Sequence, residues 1–250
     1  MLEYSERGGQ HMFDGFRTAL VTPVIVHWLA SWGPSWRKLP VPAGPPAAHW
    51  DGPDPDRVLL FGSGIAMGYG MESHDLALAG QVAHQVSDIT GRGVQVDVVA
   101  GESLTSDEIL QHLTVRRLRE LDAVVITPGS LEHMLLMPVS VWRHSIEEQL
   151  DHFAANAPAS LRVVFVALPE VSRILPVPRL LGVIADRSAR RLNRELHRLC
   201  ARRDYVEFVP FLPRERAGRA GTGRTYANWA SFIAPAVAST LDEYQKVSAR

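Results

Sequence analysis

Between residues 57 and 210 the chain alternates short, nearly continuous apolar runs with longer segments of helical period. The runs are "RVLLFG" (57–62), "VQVDVVA" (94–100), "DAVVIT" (122–127), "LRVVFVA" (161–167) and "VEFVP" (206–210). They are β-branched and apolar at successive positions, the pattern of strands buried on both faces. Helical periodicity fills the intervals at about 74–90, 105–120, 138–156 and 180–203, with a last helix at about 226–246. Thr105 and Glu108 stand in capping-box spacing at the start of the second. Strands alternating with helices predict an α/β domain over 57–250 with a five-stranded, mainly parallel, doubly wound sheet covered on both faces. Ligands in such sheets sit at the carboxyl ends of the strands, so the loops beginning at Gly62, Gly101, Pro128, Leu168 and Phe211 are where chemistry is sought.

The first 56 residues differ. Residues 1–38 form an apolar arm that holds Trp28, Trp32 and Trp36 and the stretch "ALVTPVIVHWLASW" (19–32). A membrane-spanning helix needs about 20 apolar residues, so this shorter stretch, interrupted by Pro23 and His27, is expected to pack on the domain or to lie in a membrane interface. No secretory signal pattern accompanies it, and a cytoplasmic or peripheral-membrane location is expected. Residues 39–56, rich in proline, are expected to be a linker.

Composition narrows the partners. A formal charge of −1 gives no general attraction to nucleic acid, and no nucleic-acid-binding motif is present. The single cysteine, Cys200, excludes an internal disulfide. Ten histidines show neither H-x-H nor H-E-x-x-H spacing, so no metal is expected. Arg187, Arg190, Arg191, Arg194 and Arg198 fall on one face of a helix, as a solvated stripe or one attracted to anionic lipid.

The most suggestive loop is "FGSGIAMGYG" (61–70). Gly62, Gly64 and Gly68 follow a strand as in a dinucleotide loop. That loop should open directly into a helix and be answered by an acidic residue about 20 positions on. Here the helical pattern begins only near His74, and the acidic residue closing the second strand is Glu102. No cofactor is expected.

In the same frame, "GSGIAMG" (62–68) followed by "ALAGQVA" (77–83) resembles the first block of the SGNH, or GDSL-type, hydrolases, where G-D-S-x-x-x-G ends the first strand and its Ser is the nucleophile. "GESLTSDEIL" (101–110) is similar to the second block and "PGSLEHM" (128–134) to the third, G-x-N-D. "ALPEVSRILPVPRLL" (167–181) resembles the family's proline-rich loop, and "AGTGRTYANWASF" (220–232) spans its final D-x-x-H block. The resemblance implies a three-layer α/β/α, flavodoxin-like fold. Position by position it implies a site without its chemistry. Ser63 stands at the family's Asp and Gly64 at its nucleophile; Ser103 replaces the oxyanion Gly, and Leu131 the oxyanion Asn. The final Asp and His fall on Gly221 or Thr222 and on Arg224 or Thr225.

The leading expectation is a non-catalytic relative that binds a small acyl or glycan ligand, or a protein partner, through the backbone of Gly62, Gly64, Ser103 and Gly129. An alternative is an esterase or acyltransferase rebuilt on Ser63 or Ser103 with His133 and Glu132, and Ser130 lies on the same rim. A third is a membrane-associated scaffold using the arm. Met134, Leu135, Leu136 and Met137 are expected to line core or pocket wall.

Overall fold

Every central strand sends successive side chains to opposite sides, and both sides are buried. In a computed structural model describing residues 39–101, 108–128, 134–174, 177–211 and 222–248, with Pro23, His27 and Glu132, the central strand β2 (Asp56–Gly62) turns Val58 and Leu60 toward one apolar cluster. Its Leu59 and Phe61 enter another. The alternation repeats in β4 (Ala123–Thr127) and β5 (Arg162–Val166), where Val125 and Val164 join the first cluster and Val124 and Val163 the second. That period of two is what makes the runs read as unbroken apolar sequence.

Helices close each face. The first cluster is completed by α1 (Leu78–Thr90) and by α7 (Gly223–Ser248), whose Tyr226, Trp229, Ile233 and Val237 recur at helical spacing. Behind the other face lie α4 (Val139–Asn156), with Trp142, Ile146, Leu150 and Phe153, and α6 (Arg179–Cys200), with Leu192, Leu196 and Leu199. The result is a three-layer α/β/α domain.

The sheet has six strands rather than five, in the order β1-β3-β2-β4-β5-β6, with β3 (Val94–Ala100) and β6 (Val206–Val209) completing the parallel set. Taken alone, the five parallel strands run 2-1-3-4-5, the flavodoxin-like order. The additional strand, β1 (Ala47–Trp50), comes from the stretch expected as a linker and pairs antiparallel with β3, Ala48 opposite Val96. Its four residues AAHW carry no β-branched signal. Ala48 is buried, and Trp50 stacks on His84 of α1 with ring centroids 4.1 Å apart. Packing against a preformed edge makes this segment a strand, not propensity.

The expected helix at 105–120 is also corrected. Its described part is two short helices, α2 (Ile109–His112) and α3 (Val115–Leu118), separated at Leu113 and Thr114. Thr114 adopts an extended backbone and its hydroxyl accepts a hydrogen bond from Arg117 N at 3.3 Å, so it starts a second helix. Thr105 lies outside the described residues. Among the described residues no helix is long and apolar enough to cross a membrane. Two more four-residue or longer pieces complete the order: a 3-10 turn at Gly64–Met67 and α5 (Val171–Ile174).

At the amino end of the sheet Arg92 ties three elements together. Its guanidinium donates to Asp56 at 2.8 Å and to Asp242 of α7 at 3.0 Å. Burial raises the Asp56 carboxyl above its ordinary range despite the arginine beside it.

Candidate functional site

The topological switch point lies between β3 and β4, on either side of β2, and the chain reverses there through Gly62. Gly62 has φ 139°. A Cβ on it would sit 1.9 Å from the carbonyl oxygen of Thr127 and 2.5 Å from the Thr127 hydroxyl, so only glycine lets β2 end against β4 this closely. The two strand ends are then stitched together. Ser63 N donates to Thr127 O at 3.3 Å, and the Thr127 hydroxyl lies 3.2 Å from Phe61 O and 3.3 Å from Ser63 O. Gly101 N, at the end of β3, donates to Gly62 O at 3.2 Å.

From Ser63, in extended conformation, the chain enters the 3-10 turn at Gly64 with φ 62° and leaves it at Gly68 with φ 67°. The turn is anchored from within, because Ile65 and Ala66 belong to the first core cluster. It is also held from outside. Gly70 N donates to Pro40 O at 2.7 Å and Ala43 N to Glu72 O at 3.0 Å, while the buried Tyr226 hydroxyl of α7 donates to Tyr69 O at 2.9 Å. Burial raises the Tyr226 phenol well above its ordinary range, so it stays a neutral donor.

At the start of α7 the two threonine hydroxyls face each other, Thr222 Oγ1 2.8 Å from Thr225 Oγ1. Thr222 also accepts from Thr225 N, at its carbonyl (3.0 Å) and at its hydroxyl (3.3 Å). Thr222 thus caps the helix, and Thr225 is buried. Neither hydroxyl is a base near neutral pH, and Arg224 beside them is exposed.

Of the other residues singled out from sequence, Ser63 and Glu132 are each 3% exposed. Glu132 lies just beyond β4, its carbonyl accepting from Met137 N at 2.8 Å. Met134 is buried against Val171 and Ala185, and Met137 packs at the margin of the second core cluster. Ser103, Gly129, Ser130, Leu131, His133 and Gly221 lie outside the described residues, as does the arm at 1–38 apart from Pro23 and His27.

Two residues that hold the turn, and one buried polar atom beyond it, were not singled out from sequence. Thr127 closes a strand and precedes "PG", where a polar residue ending an apolar run was the available signal. Tyr226 sits on the buried face of its helix and reads as core. His74 carries a buried Nδ1 with no hydrogen-bond partner among the described residues, and burial lowers its pKa, keeping the ring neutral.

No protein-family model and no curated protein matches the chain. Solved structures do. A lipase from a goat rumen metagenome superimposes with a TM-score of 0.58 at 15% identity, over 72% of this chain and 97% of that one. A lipase/acylhydrolase from Enterococcus faecalis gives 0.52 at 16% identity, over 74% and 96%. A member of the lipolytic G-D-S-L family from Veillonella parvula gives 0.53 at 10% identity, over 71% and 95%. With its parallel strands in the order 2-1-3-4-5 and a glycine-bounded turn at the switch point, the chain has the fold of the SGNH, or GDSL-type, hydrolases.

Proposed function

We propose that this chain is a non-catalytic SGNH-fold protein, which uses the switch-point end of its sheet to bind a small acyl or glycan ligand, or a protein partner, without turning it over. The observation that carries the reading is the turn itself. Gly64 occupies the position at which the family resemblance places the nucleophile, and a glycine at φ 62° offers no side chain to attack a carbonyl. The other end of the expected relay supports it, since the Thr222 and Thr225 hydroxyls are engaged with each other and with the helix start. A 3% exposure also makes Ser63 a poor substitute nucleophile, because attack requires the hydroxyl to meet the substrate.

The size of the loss favours binding over slow catalysis. Without a nucleophile and base, an acyl-transfer site retains only the about 10³- to 10⁴-fold advantage over water that its oxyanion hole and binding supply. A leucine in place of an oxyanion donor removes about 10²- to 10³-fold of that. What remains for a ligand is backbone N–H groups at a strand end.

The test is hydrolysis of short-chain p-nitrophenyl esters by the purified full chain, alongside Ser63→Ala. The expected result is release no faster than with an inert protein and no change in the variant. Turnover at ordinary enzyme rates that Ser63→Ala or Ser103→Ala abolishes, with phosphonate labelling of that serine, overturns the reading in favour of a rebuilt serine hydrolase.

A further inference from the structure

Two strands away from the Gly64 turn, the carboxyl ends of β5 and β6 open into a groove of about 650 Å³ between the sheet edge and α6. That is within the usual range for a small-molecule site. At about 4.8 Å per strand, β5 and β6 lie roughly 10 and 14 Å from β2, so the groove is displaced from the Gly64 turn.

Its floor is apolar. Leu168, Phe208 and Phe211 line it. Asn193 fixes the floor by accepting from Leu168 N at 2.8 Å and donating to Leu168 O at 2.9 Å. Phe211 is braced from behind by Phe232 and Trp229, with centroids at 5.1 and 5.9 Å. These contacts fix the positions of Leu168 and Phe211.

Its wall is cationic. Among the described residues Arg173, Arg190, Arg194 and Arg198 line the groove against one lining carboxylate, Glu170, which leaves three positive charges in excess there. Glu170 accepts from Arg173 Nε and from Arg190 Nη1, each at 2.5 Å, so one carboxylate links α5 to α6 and leaves further N–H groups on both guanidiniums. Its pKa falls below the ordinary range because those two hydrogen bonds outweigh the opposing effect of burial. Arg198 reaches Glu195 only at 3.4 Å, and that carboxylate is already held by Arg143 at 2.6 Å. Arg194 has neither an ion pair nor a hydrogen bond among the described residues.

We propose that this groove binds a phosphate monoester bearing an alkyl or aryl group, with the dianion held by the arginine wall and the apolar group lying on Phe208 and Phe211, above the buried Leu168. Guanidinium forks match phosphate oxygens in pairs, and an excess of three charges is better met by a dianion than by a carboxylate. The aromatic floor has no use for a bare inorganic anion. An anionic bilayer is the competing occupant, since Leu180 and Val183 are exposed on the same helical face as Arg194 and Arg198, but a bilayer laid on that face would leave the aromatic floor of Phe208 and Phe211 unused.

Isothermal titration of the full chain with octyl phosphate below its micellar concentration, with inorganic phosphate and with octyl glucoside, separates the contributions. Octyl phosphate should bind at least tenfold more tightly than inorganic phosphate, and octyl glucoside should not bind measurably. Arg194→Ala should weaken octyl phosphate by up to about fivefold, the upper end for one exposed ion pair. Arg194→Glu should weaken it more, and both variants should keep the parent melting temperature because Arg194 makes no ion pair or hydrogen bond among the described residues. Equal affinity for the two phosphates, or no effect of either Arg194 variant, overturns the proposal. Binding to phosphatidylserine vesicles without binding to monomeric octyl phosphate overturns it in favour of a membrane-docking helix face. Ester hydrolysis has no bearing on any of these outcomes.

Discussion

Replacing Gly62 by alanine puts one methyl group where β2 and β4 meet. At φ 139° an L-residue is strained, a cost of about 1–3 kcal/mol. The methyl would also sit 1.9 Å from Thr127 O, so relief requires the strand ends to part by about 1.5 Å to reach ordinary contact. Both strands are fully buried at this point, with Phe61 and Ile126 at 0% exposure, and forcing such a core apart adds about 1–3 kcal/mol. The sum, about 2–6 kcal/mol, is a large fraction of the 5–15 kcal/mol typical of a domain. Gly91 is the control. It too has positive φ, 71°, but a Cβ there meets nothing within 4 Å, so Gly91→Ala should lose only about 1 kcal/mol, the left-handed cost at a helix end. Urea unfolding followed by circular dichroism reads both. A Gly62→Ala midpoint indistinguishable from that of Gly91→Ala would refute the close approach of the two strand ends, and with it the assignment of this turn as the organiser of the site.

Two further expectations follow from buried polar atoms. Tyr226→Phe keeps the packed ring but leaves Tyr69 O without its donor, so it should destabilise by about 1–2 kcal/mol and speed amide exchange in residues 65–70; unchanged exchange there would mean that α7 does not hold the turn. Cys200 is 2% exposed and burial pushes its thiol up to about 12, which leaves about one thiolate in ten thousand at pH 8. A disulfide reagent should therefore find no thiol in the folded protein and one per chain in guanidinium, and prompt reaction of the native protein would contradict this packing.

The six strands illustrate how a sequence speaks. The five parallel ones are legible because each must satisfy two apolar layers at once, which gives short, β-branched runs such as "AVVIT" between helical periods. β1 is silent for the opposite reason: an edge strand of four residues needs only Ala48 facing inward, and a proline-rich context hides it. The helix expected over 105–120 misleads because Leu113 and Thr114 fit helical periodicity, while Thr114 serves as a cap. At the site, the glycines were conspicuous in the sequence. Thr127, Tyr226 and Tyr69, which hold the turn, were not conspicuous, since a residue that matters through one hydrogen bond to a distant carbonyl leaves no periodic trace.

The arginines make the same division on α6. Their spacing put them on one helix face from the sequence alone, because the period of an α-helix is independent of context. Which of them is spent was not contained in that spacing. Arg190 is taken up by Glu170, 20 residues away along the chain, while Arg194, one turn on, has no ion pair among the described residues. The sequence by itself determined the layers, the strand polarity and the absence of a side chain at position 64, all of them local or periodic properties. The tertiary structure decided that Gly62 must be a glycine, that Thr222 and Thr225 form a cap, and that a cationic wall stands over an aromatic floor. Each of these depends on atoms brought together from distant parts of the chain, and pairing across such separations is set by packing, not by composition or period.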